Sequence, residues 1–313
     1  MKKSLKARKE QLFWEYFNDW IDDYKDGAVR EVTLAKYRIS AKHLRHILPD
    51  TEVGQLDRRK YQKLINMYAK DHEIQTVKDF HHQIKAAIFD AVDEGLIDVD
   101  PTRRIVLKGK RPRKKNIKYL NEFEVRKFLD QLTLGSEPSI DWLILLIAKT
   151  GLRFSEGLGV TPDDFDFQNM TLTINKTWDY KSFHGSFQPT KNQASIRTIS
   201  IDWKLGMEMR DLVKNLPKDE PIFVPKDKRI FNSTYNAYMK QLCEKAGVNV
   251  ITMHGLRHTH ASLLILHDVS LSSVAERLGH STVTTTQETY IHILKEQRDK
   301  DNSKMMSALT GLD

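Results

Sequence analysis

The sequence predicts a mainly α protein with a small β-sheet: an N-terminal helical bundle followed by an α+β domain. Three observations carry that expectation. Apolar residues recur at helical spacing through residues 1 to 100, whereas the stretch from Asp163 to Ile201 alternates as strands do. Between the two lies a basic run that no packed element would hold. At 313 residues the chain also exceeds one average domain, and two are the natural expectation.

The elements follow in order. Leu12, Phe13, Tyr16, Phe17 and Trp20 make one face of a first helix that ends near Asp26-Gly27. A second helix, Thr33 to Leu48, interleaves Leu34, Tyr37, Leu44 and Ile47 with basic residues and stops before Pro49. A third covers about Arg58 to Ala69. A fourth runs from Ile74 to Glu94, with Phe80, Ile84, Ala87, Ile88 and Ala91 inward and Gly95 as its stop.

Lys108 to Lys118 then holds seven basic residues in eleven and no acid, including Lys110, Arg111, Arg113, Lys114 and Lys115. Pro, Gly and like-charge repulsion argue for a linker. Placed between two domains, it is expected to lie along a phosphate backbone, releasing counterions as it binds.

The second domain opens with helices near Asn121 to Leu132 and Ser139 to Lys149. The latter is apolar from Trp142 to Ala148, so it is expected to be a buried core helix that delivers Gly151-Leu-Arg153 at its end. Met170 to Asn175 and Ser195 to Ile201 read as strands, with Lys191 on the turn between them. Helices follow at Trp203 to Leu216, at Ser233 to Ala246, and from His254 onward. Leu271 to Leu278 followed by Ser281 to Leu294 has a helix-turn-helix cadence.

Charge and cysteine content narrow the class. Lys plus Arg outnumber Asp plus Glu by 50 to 42, giving +8 and a pI near 9.2, which favours a polyanionic partner only where the charge is clustered. One cysteine, Cys243, excludes an internal disulfide and fits a reducing compartment. The longest apolar run is too short to span a bilayer, and no secretory signal precedes the first helix. A cytoplasmic protein with no membrane partner is the expectation.

The chemistry gathers late in the chain: His254-Gly-Leu-Arg257, then Leu278-Gly-His280, then Tyr290. His254 and Arg257, three apart on a helix, share a face. A guanidinium matches two phosphate oxygens, imidazoles move protons near neutral pH, and a phenol is a nucleophile once something takes its proton. Upstream, Arg153 stands in Thr150-Gly-Leu-Arg153-Phe-Ser-Glu156, and Lys191 in Thr190-Lys191-x-x-x-Ser195-x-Arg197-x-Ile199. Glu156, one turn beyond Arg153, is placed to hold its guanidinium.

This ordered set, with the words His254-Gly-Leu-Arg257-His-Thr-His260-Ala-Ser and Leu278-Gly-His280-Ser, resembles the tyrosine recombinases, the phage- and transposon-type integrase family. The resemblance is strongest over Tyr119 to Ile293. It implies an all-helical domain at 1–107 that grips the core site, a basic linker at 108–118 and a catalytic domain at 119–294. A tail at 295–313 is expected to dock between protomers.

The resemblance also implies roles. Arg153 and Arg257 fork the scissile phosphate, and His280 donates a further hydrogen bond. Tyr290 attacks with His254 accepting its proton, and Lys191 protonates the leaving 5′-oxygen, with Lys176 and Lys181 as rival lysines. Glu156 supports the site. A 3′-phosphotyrosine stores the bond energy, so neither nucleotide nor metal is required and no cofactor is expected. The partners implied are double-stranded DNA core sites, a homotetramer on two duplexes, and in some systems an accessory directionality factor. The elaborated hairpin Lys176 to Gln193 favours a mobile-element integrase. A chromosome-type resolving recombinase is the alternative, because the first bundle helix begins almost at once, with any arm-binding domain absent or removed.

Two readings without this resemblance compete. A non-enzymatic helix-turn-helix regulator explains the linker and Leu271 to Leu294 but leaves Arg153, Lys191, His254 and Tyr290 as coincidences. A metalloenzyme would use His254 and His258, four apart, but Gly255 stands where the acid of H-E-x-x-H belongs. His258, His260 and His267 are accordingly expected to be structural or surface histidines.

Overall fold

The computed structural model describes residues 4–111, 119–182, 185–225 and 229–290, in two units, Met1–Lys115 and Asn116–Asp313. Each is built around its own core.

The first unit holds α1 (Leu5–Lys9), α2 (Phe13–Tyr24), α3 (Glu31–Ile47), α4 (Arg58–Ala69) and α5 (Ile74–Asp93). The short α1 was not expected from the sequence; it bears no buried residue and begins at Ser4, whose hydroxyl accepts from Ala7 N. The other four fall where the apolar spacing puts them. α4 starts because the Asp57 carboxylate accepts from Lys60 N at 2.8 Å, and α5 is followed by Gly95 at φ +71°. Phe13, Phe17, Ile21, Leu44, Tyr61, Leu64, Phe80, Ile84 and Ile88 fill the interior. His81, buried among them, hydrogen-bonds the Tyr61 hydroxyl through Nδ1 at 2.9 Å.

The linker begins less freely than its composition suggests. Lys110 N donates to His72 O at 2.9 Å, and Ile74 N donates to Lys110 O at 3.1 Å, so the backbone is bound at the start of α5. Arg111 is the last described residue on this side; Arg113, Lys114 and Lys115 lie outside the described residues, as does the tail from 295 to 313.

The second unit begins with α6 (Glu122–Leu129), where Asn121 and Glu124 form a reciprocal capping box. α7 (Ile140–Thr150) follows, buried from Asp141 to Ile147 as the sequence predicts, with Asp141 satisfied by Thr133 N and the Tyr238 hydroxyl. After α8 (Phe154–Leu158) the chain makes β1 (Phe165–Asp166), β2 (Thr171–Ile174), β3 (Lys176–Trp178), β4 (Phe187–Pro189) and β5 (Arg197–Ser200). β1, β2 and β5 form one antiparallel sheet in that order, and β3 pairs with β4 in a separate ribbon. The expected pair of strands is thus β2 and β5, paired Leu172 to Ile199, and the ribbon is an outgrowth between them. α9 (Trp203–Val213), α10 (Asn232–Ala246), α11 (Met253–Leu266) and α12 (Leu271–Leu278) complete the unit, and residues 283–290 are helical. Among the described residues no helix is long and apolar enough to cross a membrane.

Candidate active site

Two left-handed turns organise the site. α7 stops at Gly151 (φ +71°) and α12 at Gly279 (φ +65°). A Cβ at Gly151 would come within 2.7 Å of the His260 ring, and one at Gly279 within 2.9 Å of the Arg197 guanidinium. Backbone conformation and close packing therefore both demand glycine here.

The carbonyls exposed by these turns aim two arginines. Arg257, on α11, donates from Nη1 to Gly151 O at 2.7 Å and from Nη2 to Leu278 O at 2.5 Å. Arg153, between α7 and α8, donates from Nη2 to Gly279 O at 3.1 Å and from Nη1 to Glu156 Oε1 at 2.6 Å. Burial, then Arg153, pulls the Arg257 pKa down to about 9, which leaves it charged at neutral pH.

Glu156 is fully enclosed and carries a second load that the sequence did not disclose. Besides Arg153 it accepts from Arg197 Nη2 at 3.0 Å. Burial acts to raise the Glu156 pKa, but Arg197 and Arg153 outweigh it and hold the carboxyl below its usual value. Arg197 in turn donates from Nε to Arg277 O at 2.6 Å and from Nη1 to Ser195 O at 2.9 Å, joining β5 to the end of α12. The signal was present: alternation in β5 puts Arg197 on the face of Ile199, and a buried guanidinium needs an acid.

His280 follows Gly279 and hydrogen-bonds the Thr286 hydroxyl through Nδ1 at 2.7 Å. Burial and then Arg257, Arg153 and Arg197 push its pKa down to about 4, so it is neutral at pH 7. A phosphate between the guanidiniums would cancel part of that field. NMR titration of the free protein should therefore place His280 below 5, with a rise on binding core-site DNA; a free value above 6.5 would contradict this arrangement. Because the folded value is depressed, His280 costs stability progressively as pH falls from 6.5 toward 4.

Lys191 is exposed on the bend between β4 and β5. The same bend reaches the site two ways: Asn192 Oδ1 accepts from the Ser195 hydroxyl at 2.7 Å, and that hydroxyl lies 3.5 Å from Arg153 Nη1. The rival Lys176 is occupied instead, its ammonium 2.5 Å from the buried Asp164 carboxylate.

The histidines of α11 divide differently from expectation. Tyr290 is buried, and the side chain on its hydroxyl is His258, Nδ1 to Oη at 3.0 Å. His254 stands one turn earlier, exposed and edge-to-face on the His258 ring, 4.7 Å between centroids. His258, expected to be a structural or surface histidine, is half-buried and set against the Tyr290 hydroxyl. Residues four apart share a face as closely as residues three apart, and the helix rotation turns the later histidine toward Tyr290. Burial, with Arg257 opposing, pushes the Tyr290 pKa up to about 12.

His260 is structural, as expected. Its Nδ1 meets Ala148 O at 3.0 Å and its Nε2 accepts from Arg277 Nε at 2.9 Å, so it is neutral, its pKa pushed to about 3 by burial and Arg277. His267 sits at the surface beside Glu122. Among the described residues no three His, Cys, Asp or Glu side chains are grouped to hold a metal.

The phage integrase family pattern matches residues 118–297. A XerC-like tyrosine recombinase of Caldanaerobacter subterraneus subsp. tengcongensis is 25% identical, over 91% of this chain and 80% of its own. The ICEBs1 integrase of Bacillus subtilis is 30% identical over 60% of this chain and 55% of its own, so this chain spans about half the length of that relative. Among solved structures, the Tn1549 transposon integrase in complex with transposon right end DNA superposes with a TM-score of 0.73 at 17% identity, covering 93% of this chain and 99% of that one. A lambda integrase tetramer bound to a Holliday junction gives 0.63 at 18% identity, over 91% and 83%. The chain belongs to the phage integrase family, and it is a tyrosine-type site-specific recombinase.

Proposed function

We propose that this recombinase cuts and rejoins double-stranded DNA at core sites through a 3′-phosphotyrosine on Tyr290, to integrate and excise a mobile element. The observation that carries the reading is the convergence of Arg153, Arg257 and His280 at the Gly151 and Gly279 turns, with Arg257 on α11, the helix whose His258 meets Tyr290. Phosphoryl transfer is mostly positioning and electrostatic stabilisation of equatorial oxygens, and this cluster supplies both. Arg153 and Arg257 grip the non-bridging oxygens and His280 adds a hydrogen bond. Tyr290 attacks phosphorus, and Lys191 protonates the departing 5′-oxygen. The 5′-hydroxyl of a partner duplex then reverses the step. Glu156 holds Arg153 in place.

Residues 1–107 are assigned to the core site and 119–294 to catalysis. Lys110, Arg111, Arg113, Lys114 and Lys115 track the phosphates between them. A homotetramer on two duplexes is the working assembly, a reading supported by the lambda integrase tetramer bound to a Holliday junction, with the tail at 295–313 docking between protomers. An accessory directionality factor would act on that assembly, in the cytoplasm at the nucleoid.

A nicked suicide substrate carrying a core site tests the reading. The expected product is a denaturation-resistant protein–DNA adduct whose attached peptide contains Tyr290, formed equally in millimolar EDTA. An adduct that requires Mg²⁺ or Zn²⁺, or maps elsewhere, would overturn it. A resolving recombinase is the second reading, favoured by the XerC-like relative matched over 91% of this chain. It predicts resolution of directly repeated sites by this protein without a mobile element flanking its gene.

Replacing Arg111, Arg113, Lys114 and Lys115 with Gln should flatten the salt dependence of DNA affinity. Leaving up to four phosphates without a cation corresponds to a decrease of about 3 to 4 in the log–log slope. An unchanged slope in a binding titration across salt would take the linker off the backbone.

A further inference from the structure

We propose that Asn192 and Ser195 are positioning residues for Lys191, holding its bend in register with the arginines that grip the same phosphate. The inference rests on the recombinase reading above and deepens it on the leaving-group side.

Lys191 needs such support. It is exposed on a bend, and its long, flexible side chain loses rotamer freedom when the amine is held to one atom. A general acid must still come within about 3 Å of the oxygen it protonates, and a misplacement of about 1 Å can cost on the order of 10²-fold. The backbone that carries Lys191 must therefore be fixed relative to Arg153.

The residues on either side of it do this. Asn192 caps a single 3₁₀ turn, Gln193–Ser195, its Oδ1 accepting from Ser195 N at 3.0 Å and from the Ser195 hydroxyl at 2.7 Å. Before Lys191, the buried Thr190 donates from its hydroxyl to Asn192 O at 3.1 Å, closing the bend around the lysine. Ser195 is fully enclosed and faces the arginines: its Oγ accepts from Arg153 Nη1 at 3.5 Å, and its carbonyl accepts from Arg197 Nη1 at 2.9 Å. The turn also presses on the end of α12, where a Cβ at Gly279 would come within 3.1 Å of both Ala194 O and Ser195 Cα. Gly279 O is the carbonyl that holds Arg153. One short turn thus ties the lysine's bend to the residue that orients the arginine.

The consequence falls on one side of phosphorus. As the bond to the 5′-oxygen breaks, its electron pair stays on that oxygen, which takes a proton from the Lys191 ammonium and leaves a neutral amine. With the bend released from Ser195, the ammonium would wander from an oxygen whose place the arginines still fix. DNA binding and the attack of Tyr290 would be spared, and protonation of the leaving group would fail.

Adduct formation is therefore timed on a suicide substrate with an ordinary phosphate, and on one whose bridging 5′-oxygen is sulfur. A thiolate leaves without protonation, so sulfur relieves a defect on the leaving-group side and none elsewhere. Asn192→Ala should be about 10- to 10²-fold slow on oxygen and near the parent rate on sulfur, with DNA affinity retained. Ser195→Ala should show the same pattern, because Arg153 keeps Glu156 and Gly279 O. Added to Lys191→Ala, the Asn192→Ala change should slow cleavage no further, since it acts only through the lysine.

A normal rate on oxygen in Asn192→Ala would overturn the proposal. So would equal slowing on both substrates, or a further loss on top of Lys191→Ala. Asn192 is exposed, so its replacement leaves the packed interior intact; if it melts early, Ser195→Ala carries the same comparison. Lys191→Ala separates the two claims. Equal slowing of that variant on oxygen and sulfur sinks the role of Lys191 itself, whereas its rescue by sulfur beside a normal Asn192→Ala sinks only this inference.

Discussion

Tyr290→Phe should form no covalent adduct on a nicked core-site substrate while binding that DNA as the parent does. The change removes one oxygen from a ring that is otherwise enclosed, so packing is nearly conserved and the hydrogen bond to His258 Nδ1 is what disappears. The buried phenol, its pKa pushed up to about 12, is a poor nucleophile at rest, and its hydroxyl is the one set against that imidazole. Cleavage should fall below detection, a larger effect than any other single substitution here. Gel analysis under denaturing conditions reads the adduct and mobility shift reads the binding. Persistence of the adduct would move the nucleophile to another residue.

Glu156→Gln should be the most damaging change to stability. One enclosed carboxylate there serves two guanidiniums, Arg153 at 2.6 Å and Arg197 at 3.0 Å, and Arg197 is itself only 5% exposed in its side chain. Removing one partner of a buried pair leaves an uncompensated charge and costs about 3–5 kcal/mol. In a domain of this size that lowers the melting temperature by roughly 6–20 °C. The pairing also gives an acid signature. Because the folded carboxyl sits below its unfolded value, its contribution is complete above the ordinary Glu range and is lost as pH falls through the lower folded value. Glu156→Gln should therefore flatten the acid limb of the stability profile. The double variant Glu156→Gln, Arg197→Leu should lose less than the two single losses combined, since the residues form one network. Additive losses in thermal and denaturant unfolding would show the two arginines are held independently of the acid.

Both predictions lean on residues that differ in how readable they were. Arg153, Glu156, Arg257, His280 and Tyr290 could be singled out because each carries a rare functional group inside a short, ordered word of sequence. Their chemistry is local to the side chain, and the helix period fixes which of them share a face. The same period placed α2 to α5 and α7, since an apolar stripe every three to four residues has only one way to be buried. Of the short elements, α1 escaped, and the hairpin from Lys176 to Gln193 was legible without strand bounds. α1 buries nothing, and the β3–β4 ribbon has no inward face of its own: its burial pattern offers no alternation to read.

The sequence by itself therefore determined the class of the fold, its two-part plan and the set of groups available for phosphoryl transfer, because periodicity and functional-group chemistry are properties of short segments. Only the tertiary structure decided which histidine meets Tyr290, which lysine is occupied and which acid holds two arginines. His254 and His258 are equivalent in composition and nearly so in helical phase; the packing of residues 283–290 against α11 chooses between them. Lys176 is set aside by Asp164, twelve residues away, and Arg197 is brought to Glu156 from forty-one away. Pairings made across such separations depend on how the elements pack on one another, and no local spacing in the chain encodes them.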